Sequence, residues 1–279
     1  MANNAVLVTG ASTGIGHAIS ALLAHNGYTV YAGVRKEGDR ERLEAEHERI
    51  RPVILDVTVP ADVTRATQTV RENGDTLVAL VNNAGIAVAG PLEFLPIDAL
   101  RHQFEVNVVA PIAMAQAALP LLRQSRGRII NVGSIAGRLS APFVGPYSAS
   151  KAAIASLTDA LRQELAPFGI AVSLLEFASV KTPIWAKGRA GRDALVGAMP
   201  PQALTYYGAL TEAVLAQTKI EEREGMDPNV IATTVLAALR APKPRERYLI
   251  GSKAKMQAVV ALLPPSTRDK LVKSAMKLP

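Results

Sequence analysis

Ala5-Val6-Leu7-Val8-Thr9-Gly10-Ala11-Ser12-Thr13-Gly14-Ile15-Gly16 is the stretch that decides the fold. A short apolar run, suited to a buried strand, passes directly into three glycines. The residues that follow, Ile15–Asn26, carry apolar side chains at helical spacing. A helix N-terminus offers free backbone N–H groups and partial positive charge, which attract a pyrophosphate. Glycines let the chain turn sharply and let a phosphate approach without a Cβ in the way. Three glycines alone also suit a generic tight turn. Placed between a strand and a helix, they read as a dinucleotide cradle formed by Gly10, Ser12, Thr13, Gly14, Ile15 and Gly16.

Outward from this turn the chain alternates short apolar runs with longer helical stretches. The runs are Ala5–Thr9, Thr29–Val34, Arg51–Asp56, Thr76–Val81, Gly127–Val132, Ile170–Glu176 and Arg247–Ile250. The helical stretches are Ile15–Asn26, Asp39–Glu48, Ala61–Glu72, Ile97–Arg123, Pro146–Ala166 and Asn229–Leu239. Several runs are apolar on both faces, as in a parallel sheet covered on both sides. Strict alternation predicts an α/β fold, a doubly wound parallel sheet with ligands at the strand C-terminal ends. One domain over residues 1–279 is expected. Residues 181–225, where Gly, Pro and Tyr mix among short helical pieces, read as a substrate lid. Residues 252–279 read as a C-terminal helical extension interrupted at Pro264–Pro265.

Composition narrows the function. The chain has 279 residues, 49% of them hydrophobic and 20% charged, in keeping with an enzyme that buries a sizeable core. It has no cysteine, and its four histidines show no metal-ligand spacing, so no metal site is expected. The net charge of +7 comes from scattered basic residues without an aromatic-interleaved stripe, which argues against nucleic acid. No signal-like segment precedes the first run, and the apolar run Ala258–Leu263 is too short to span a bilayer. The expectation is a cytoplasmic protein with no integral membrane segment.

Further clusters extend the cradle. Asn82-Asn83-Ala84-Gly85 closes the fourth run, and Asn83, Ala84 and Gly85 are expected beside the adenosine. Asp56, at the end of the third run with Val57 next to it, is expected to accept from the adenine amino group. An acidic residue about 20 positions past the turn would bind the ribose hydroxyls of NAD. Here Val34 is followed by Arg35 and Lys36 instead, so Arg35 can pair with a 2′-phosphate. The expectation is a preference for NADP(H), with NAD(H) possible. Downstream, Ser134 follows the fifth run, and Tyr147 and Lys151 stand at i and i+4, one turn apart on a helix. Reducing a carbonyl requires a proton delivered to the developing alkoxide. A free phenol has a pKa of about 10, and a neighbouring ammonium is expected to lower it. The Ser134 hydroxyl can hold the substrate oxygen against the phenol.

These motifs together resemble the short-chain dehydrogenase/reductase family: Thr9-Gly10-x-x-x-Gly14-Ile15-Gly16, Asn82-Asn83-Ala84-Gly85, Asn107, Ser134 and Tyr147-x-x-x-Lys151. The similarity covers about Ala5 to Thr182. It implies a single-domain Rossmann fold with seven strands in the order 3-2-1-4-5-6-7. It implies Tyr147 as acid/base, Lys151 lowering its pKa and holding the nicotinamide ribose, and Ser134 orienting the substrate. Asn107 would hold a water in a proton relay; that role rests on the resemblance alone. Val180 and Thr182 would meet the nicotinamide carboxamide. A homodimer or homotetramer through the two long helices is implied, and the Pro91-Leu92-Glu93-Phe94 segment resembles the branch acting on steroids, retinoids and related lipophilic alcohols. One departure stands out: Phe177-Ala178 replaces the family's Pro-Gly after the sixth strand. Phe177 is expected to crowd the nicotinamide, and Ala178 to resist backbone conformations open to glycine. The apolar lid residues Ile184, Trp185, Leu195, Met199, Leu204, Tyr206 and Tyr207 favour a hydrophobic small-molecule substrate. The leading reading is an NADP(H)-dependent oxidoreductase. The alternatives are a 3-ketoacyl-thioester reductase and a low-turnover dinucleotide-binding sensor or scaffold.

Overall fold

The structure, a computed structural model, describes residues 3–186 and 200–276. Its centre is a seven-stranded, wholly parallel sheet in the order β3-β2-β1-β4-β5-β6-β7. The strands are β1 (Asn4–Val8), β2 (Thr29–Val34), β3 (Ile50–Ile54), β4 (Thr76–Asn82), β5 (Arg128–Val132), β6 (Ala171–Phe177) and β7 (Arg247–Ile250). All six residues of β2 are buried, as a strand covered on both faces requires.

Two hydrophobic layers explain the alternation. On one face α1 (Gly14–His25) and the helix Pro228–Arg240 bring Ile19, Leu23, Ile231 and Val235 against Val6, Val8, Val30 and Ile130. On the other, α3 (Pro60–Glu72) and α5 (Ala110–Ser125) bring Val63, Val70, Met114 and Leu122 against Leu7, Tyr31, Leu80 and Ile129. The order reverses between β1 and β4, so the crevice at that switch point opens above both C-terminal ends. The remaining helices on the sheet are α2 (Glu37–Glu46), α4 (Ile97–Phe104) and α6 (Gly145–Leu165).

Several boundaries differ from the sequence expectation. β3 ends at Ile54, so Asp56 lies in the loop beyond it. The single long helix expected over 97–123 is three elements: α4, a π-helical turn Glu105–Val109 and α5. A π turn inserts one residue into the helical ladder, a distortion that apolar periodicity does not reveal. Residues 97–125 together are long and apolar enough to cross a membrane, yet half of the most apolar window is buried inside this fold. In the lid region, Pro201–Glu224 is one continuous helix rather than short pieces. Leu195 and Met199 lie outside the described residues. The C-terminal extension breaks as expected, into Ser252–Val260 and Pro265–Met276. Its inner residues Ala254 and Ala258 pack on Ile135 and Ala178.

Candidate active site

The glycine turn is shaped by three close approaches. Gly10 has φ +65°, and a Cβ there would lie 2.8 Å from the Ala84 Cα. At Gly16 a Cβ would meet the Gly10 carbonyl oxygen at 2.3 Å and the Asn83 amide nitrogen at 2.5 Å. Gly14 abuts Thr182, whose Cβ would stand 3.0 Å from an added Cβ. The turn and the loop after β4 are stitched together. The Thr9 hydroxyl accepts from the backbone N–H groups of Asn83 and Ala84, each at 3.0 Å. The Asn83 side chain donates to the carbonyls of Thr9 (2.9 Å) and Gly10 (3.0 Å). Asn83, Ala84 and Thr182 therefore lie against the glycine turn. A turn at a helix N-terminus, with no room for a Cβ at its glycines, fits a dinucleotide pyrophosphate.

At the adenosine end, Arg35 is exposed just past β2. Asp56 is turned back on its own loop, accepting from the Thr58 N–H (3.0 Å) and hydroxyl (2.7 Å). Burial works against its charge, but the Thr58 hydrogen bonds and the Arg35 charge outweigh burial and hold the carboxyl below its usual range. Val57 lines the wall between the Asn82–Ala84 loop and α5. Sequence reasoning missed Arg42. From α2 it donates to the Ser12 carbonyl at 2.5 Å and to Glu46 at 2.5 Å, bracing the glycine turn from outside. Nothing in the local sequence ties Arg42 to a turn thirty residues earlier. The role of Thr9 in capping the loop after β4 likewise needs the tertiary contact.

The reacting centre gathers at the ends of β5 and α6. Ser134 caps the short turn Ile135–Gly137, its Oγ accepting from Ala136 N at 3.1 Å. α6 begins with Gly145-Pro146, proline at a position where its missing N–H costs nothing, and carries Tyr147 and Lys151 on one face. Lys151 is buried, and its Nζ donates to the Val132 carbonyl at 2.8 Å. That nitrogen stands 5.7 Å from the centre of the Tyr147 ring. Burial pulls the Lys151 ammonium down from 10.5 to about 8. The Tyr147 phenol is pushed up by burial, against a smaller lowering from its hydrogen bond with Ser134. Burial, not the Lys151 charge, sets the direction of the phenol's shift. Desolvation favours the neutral form of each group.

Asn107 lies in the π turn. Its Oδ1 accepts from Ile86 N (2.9 Å), and its Nδ2 donates to Ile86 O and Ser150 Oγ, both at 3.0 Å. A Cβ on Gly85 would stand 3.3 Å from Asn107 Oδ1 and 3.9 Å from Lys151 Nζ, so this glycine sits between them. Val180 is buried and bridges to Met226.

The Phe177-Ala178 departure resolves differently from expectation. Phe177 closes β6, is 6% exposed, and joins the core cluster that includes Val180, Ile231 and Ile250. Its ring goes into the core, not over the cofactor crevice. Among the described residues only Arg126 and Phe143 combine a side chain with positive φ, so Ala178 has ordinary backbone and the lost glycine costs no strain there.

A cofactor cradle at a topological switch point, beside a tyrosine paired with a buried lysine, defines a nicotinamide-dependent oxidoreductase. The family is settled by similarity: the short chain dehydrogenase model matches residues 4–193, and the chain belongs to that family. An NADPH-dependent 3-dehydrocapnine reductase of Ornithobacterium rhinotracheale is 34% identical, over 97% of this chain and 96% of that protein. Human retinol dehydrogenase 5 is 35% identical, over 96% of this chain and 87% of that one. Among solved structures, a short chain dehydrogenase of Burkholderia cenocepacia J2315 in complex with NADP superposes with a TM-score of 0.73. It is 27% identical and covers 100% of this chain and 99% of its own.

Proposed function

We propose that this chain is an NADPH-dependent reductase of a lipophilic ketone or aldehyde, with Tyr147 as its general acid. The observation that carries the reading is the gathering of three side chains: Lys151 Nζ stands 5.7 Å from the centre of the Tyr147 ring, and Ser134 hydrogen-bonds the phenol. When bound, the reduced nicotinamide supplies the hydride. Ser134 holds the carbonyl oxygen, and Tyr147 donates its proton to that oxygen as negative charge develops there. Lys151 neutralises the phenolate left behind. Gly10, Ser12, Thr13, Gly14, Ile15 and Gly16 hold the pyrophosphate, and Asp56, Val57, Asn83, Ala84 and Gly85 line the adenosine side. Val180 and Thr182 meet the carboxamide, and Asn107 takes the relay position behind Lys151. Arg35 supplies the partner for a 2′-phosphate; the NADPH-dependent relative and the NADP-bound structure support that preference.

An aromatic wall supports the lipophilic substrate. Tyr207 packs against Phe94 and Phe143, each with ring centres 6.0 Å away, and its hydroxyl donates to Glu93 at 2.8 Å. The same segments border the start of α6: Leu92 lies 3.3 Å from a Cβ added at Gly145, two residues before Tyr147. Phe143 holds a left-handed backbone at φ +69°, a conformation that costs of order 1–3 kcal/mol and concentrates at working sites. For assembly we propose a homodimer through α5 and α6, where Val109 and Leu157 are exposed on and beside those helices.

The test follows NADPH oxidation across a panel of lipophilic ketones and aldehydes. Tyr147→Phe is expected to abolish turnover and leave NADPH affinity unchanged; retained turnover refutes the mechanism. Firm NADPH binding with no turnover on any carbonyl would favour a sensor. With Phe177 in the core, the departure from the Pro-Gly motif does not favour that second reading.

A further inference from the structure

The reaction uses none of the charges behind Ser134, yet they form one connected chain around the buried carboxylate of Glu176. Arg138, four residues after Ser134, grips Glu176 with two parallel hydrogen bonds: Nε to Oε1 at 2.7 Å, and Nη2 to Oε2. Glu176 lies on β6, and its side chain is 1% exposed. Arg247 of β7 reaches the same carboxylate at 3.5 Å and binds Asp159 at 2.5 Å. Asp159 stands two turns beyond Lys151 on α6. The other side of the Ser134 turn has no slack. A Cβ on Gly137 would lie 2.8 Å from the Lys151 carbonyl carbon and 2.9 Å from its oxygen.

We propose that Arg138 and Glu176 are positioning residues for the reduction: a brace that sets Ser134 Oγ against the Tyr147 phenol. The turn carrying Ser134 is wedged by Gly137 on the α6 backbone and pulled by Arg138 onto β6. Through Arg247 and Asp159 the pull returns to α6 itself, so the two segments bearing Ser134 and Tyr147 share one ionic frame. Burial of a charge pair is poor evidence for stability, because desolvation offsets the attraction. The fork geometry of Arg138 gives something apolar packing does not, a fixed direction as well as a contact. Small misplacements at a reacting centre are costly: about 1 Å can cost on the order of a hundredfold in rate.

This inference rests on Ser134 orienting the substrate, and the experiment separates the two. Wild type, S134A, R138K, S134A/R138K, R138M and R138M/E176M are compared in kcat, KM, NADPH affinity and thermal midpoint. R138K keeps the charge but loses the fork. It is expected to lower kcat about tenfold while KM and NADPH affinity stay within about twofold. Because Arg138 acts through Ser134, R138K is expected to have almost no further effect in the S134A background. R138M/E176M is expected to recover the melting temperature lost by R138M, since neither charge is left unpaired, without recovering kcat. Wild-type kcat in R138K, additive losses in S134A/R138K, or recovery of kcat together with stability overturns the brace. S134A slow with R138K unimpaired overturns the brace alone; S134A at wild-type kcat overturns the Ser134 reading and the brace with it. If R138M/E176M does not fold, the S134A–R138K cycle decides the matter by itself.

Discussion

Lys151 is a stability liability that the fold carries for the sake of the site, and Lys151→Met exposes the cost. Burial moves its pKa from 10.5 to about 8. That difference of roughly 2.5 units corresponds to about 3 kcal/mol of penalty on the charged form in the folded state. The hydrogen bond to Val132 offsets about 1 kcal/mol of it. Methionine fills much the same space without a charge, so the unliganded variant should gain about 2 kcal/mol. In a chain of this size that raises the melting temperature by about 5 °C. The pH dependence fixes the sign. Below about pH 8 Lys151 is protonated in both folded and unfolded chains, and the penalty is present in full. Between pH 8 and 10.5 the folded lysine is neutral while the unfolded one still holds its proton. The unfolded state then binds more protons, so wild-type stability rises with pH and the lead of the variant shrinks. Melting of both proteins without cofactor at pH 6.5 and 9.5, together with turnover, is the assay. A variant no more stable than wild type at pH 6.5, or a lead that does not shrink by pH 9.5, refutes the reasoning; turnover should be lost at both values.

Gly16→Ala drives a methyl group into the Gly10 carbonyl and the Asn83 amide, and should weaken NADPH binding at least about a hundredfold by titration calorimetry. Thr9→Val leaves the Asn83 and Ala84 N–H groups without their acceptor and should cost about 2 kcal/mol in denaturant unfolding, with poorer NADPH affinity. Arg35→Ala should raise the Kd for NADPH about tenfold and leave that for NADH nearly unchanged; equal losses would remove Arg35 from the 2′-phosphate site. Tyr207→Phe removes the hydrogen bond to Glu93 but keeps the ring. It should raise KM for lipophilic carbonyls by less than Tyr207→Ala, with kcat/KM for a small ketone little changed in either.

How much of this was readable in the chain depends on the range over which each feature is encoded. The strand-turn-helix from Ala5 to Asn26 is local, written in consecutive residues, and the structure repeats it almost residue for residue. The pairing of Tyr147 with Lys151 is equally local, since four residues on a helix fix one face. The π turn at Asn107 escaped because it is one extra residue in a continuous apolar helix, and the period hardly registers it. Arg42, Thr9 and the Arg138–Glu176 pair escaped for another reason. Each partner lies on a different element, and polar residues at those positions are indistinguishable in sequence from solvated ones. The direction of the Tyr147 shift depends on burial and on where the Lys151 amine points, and neither is set by spacing.

Phe177 and Ala178 show how a motif can be lost without straining its loop. Proline and glycine at a strand end are two ways of fixing a loop: one restricts the backbone, the other frees it. Here the loop is held by side chains instead. Phe177 anchors in the core beside Ile250, Ala178 packs on Ala254 and Ala258 of the C-terminal extension, and Val180 bridges to Met226. The backbone on either side then needs no special conformation. Thr182 still arrives beside Gly14. The C-terminal extension therefore supports the loop that leads from β6 to Thr182. Removing residues 252–279 should expose Ile135 and Ala178, loosen the loop leading to Thr182, and weaken NADPH binding more than Phe177→Pro with Ala178→Gly restored together. A truncated chain that binds NADPH as the full chain does would show that the loop holds itself.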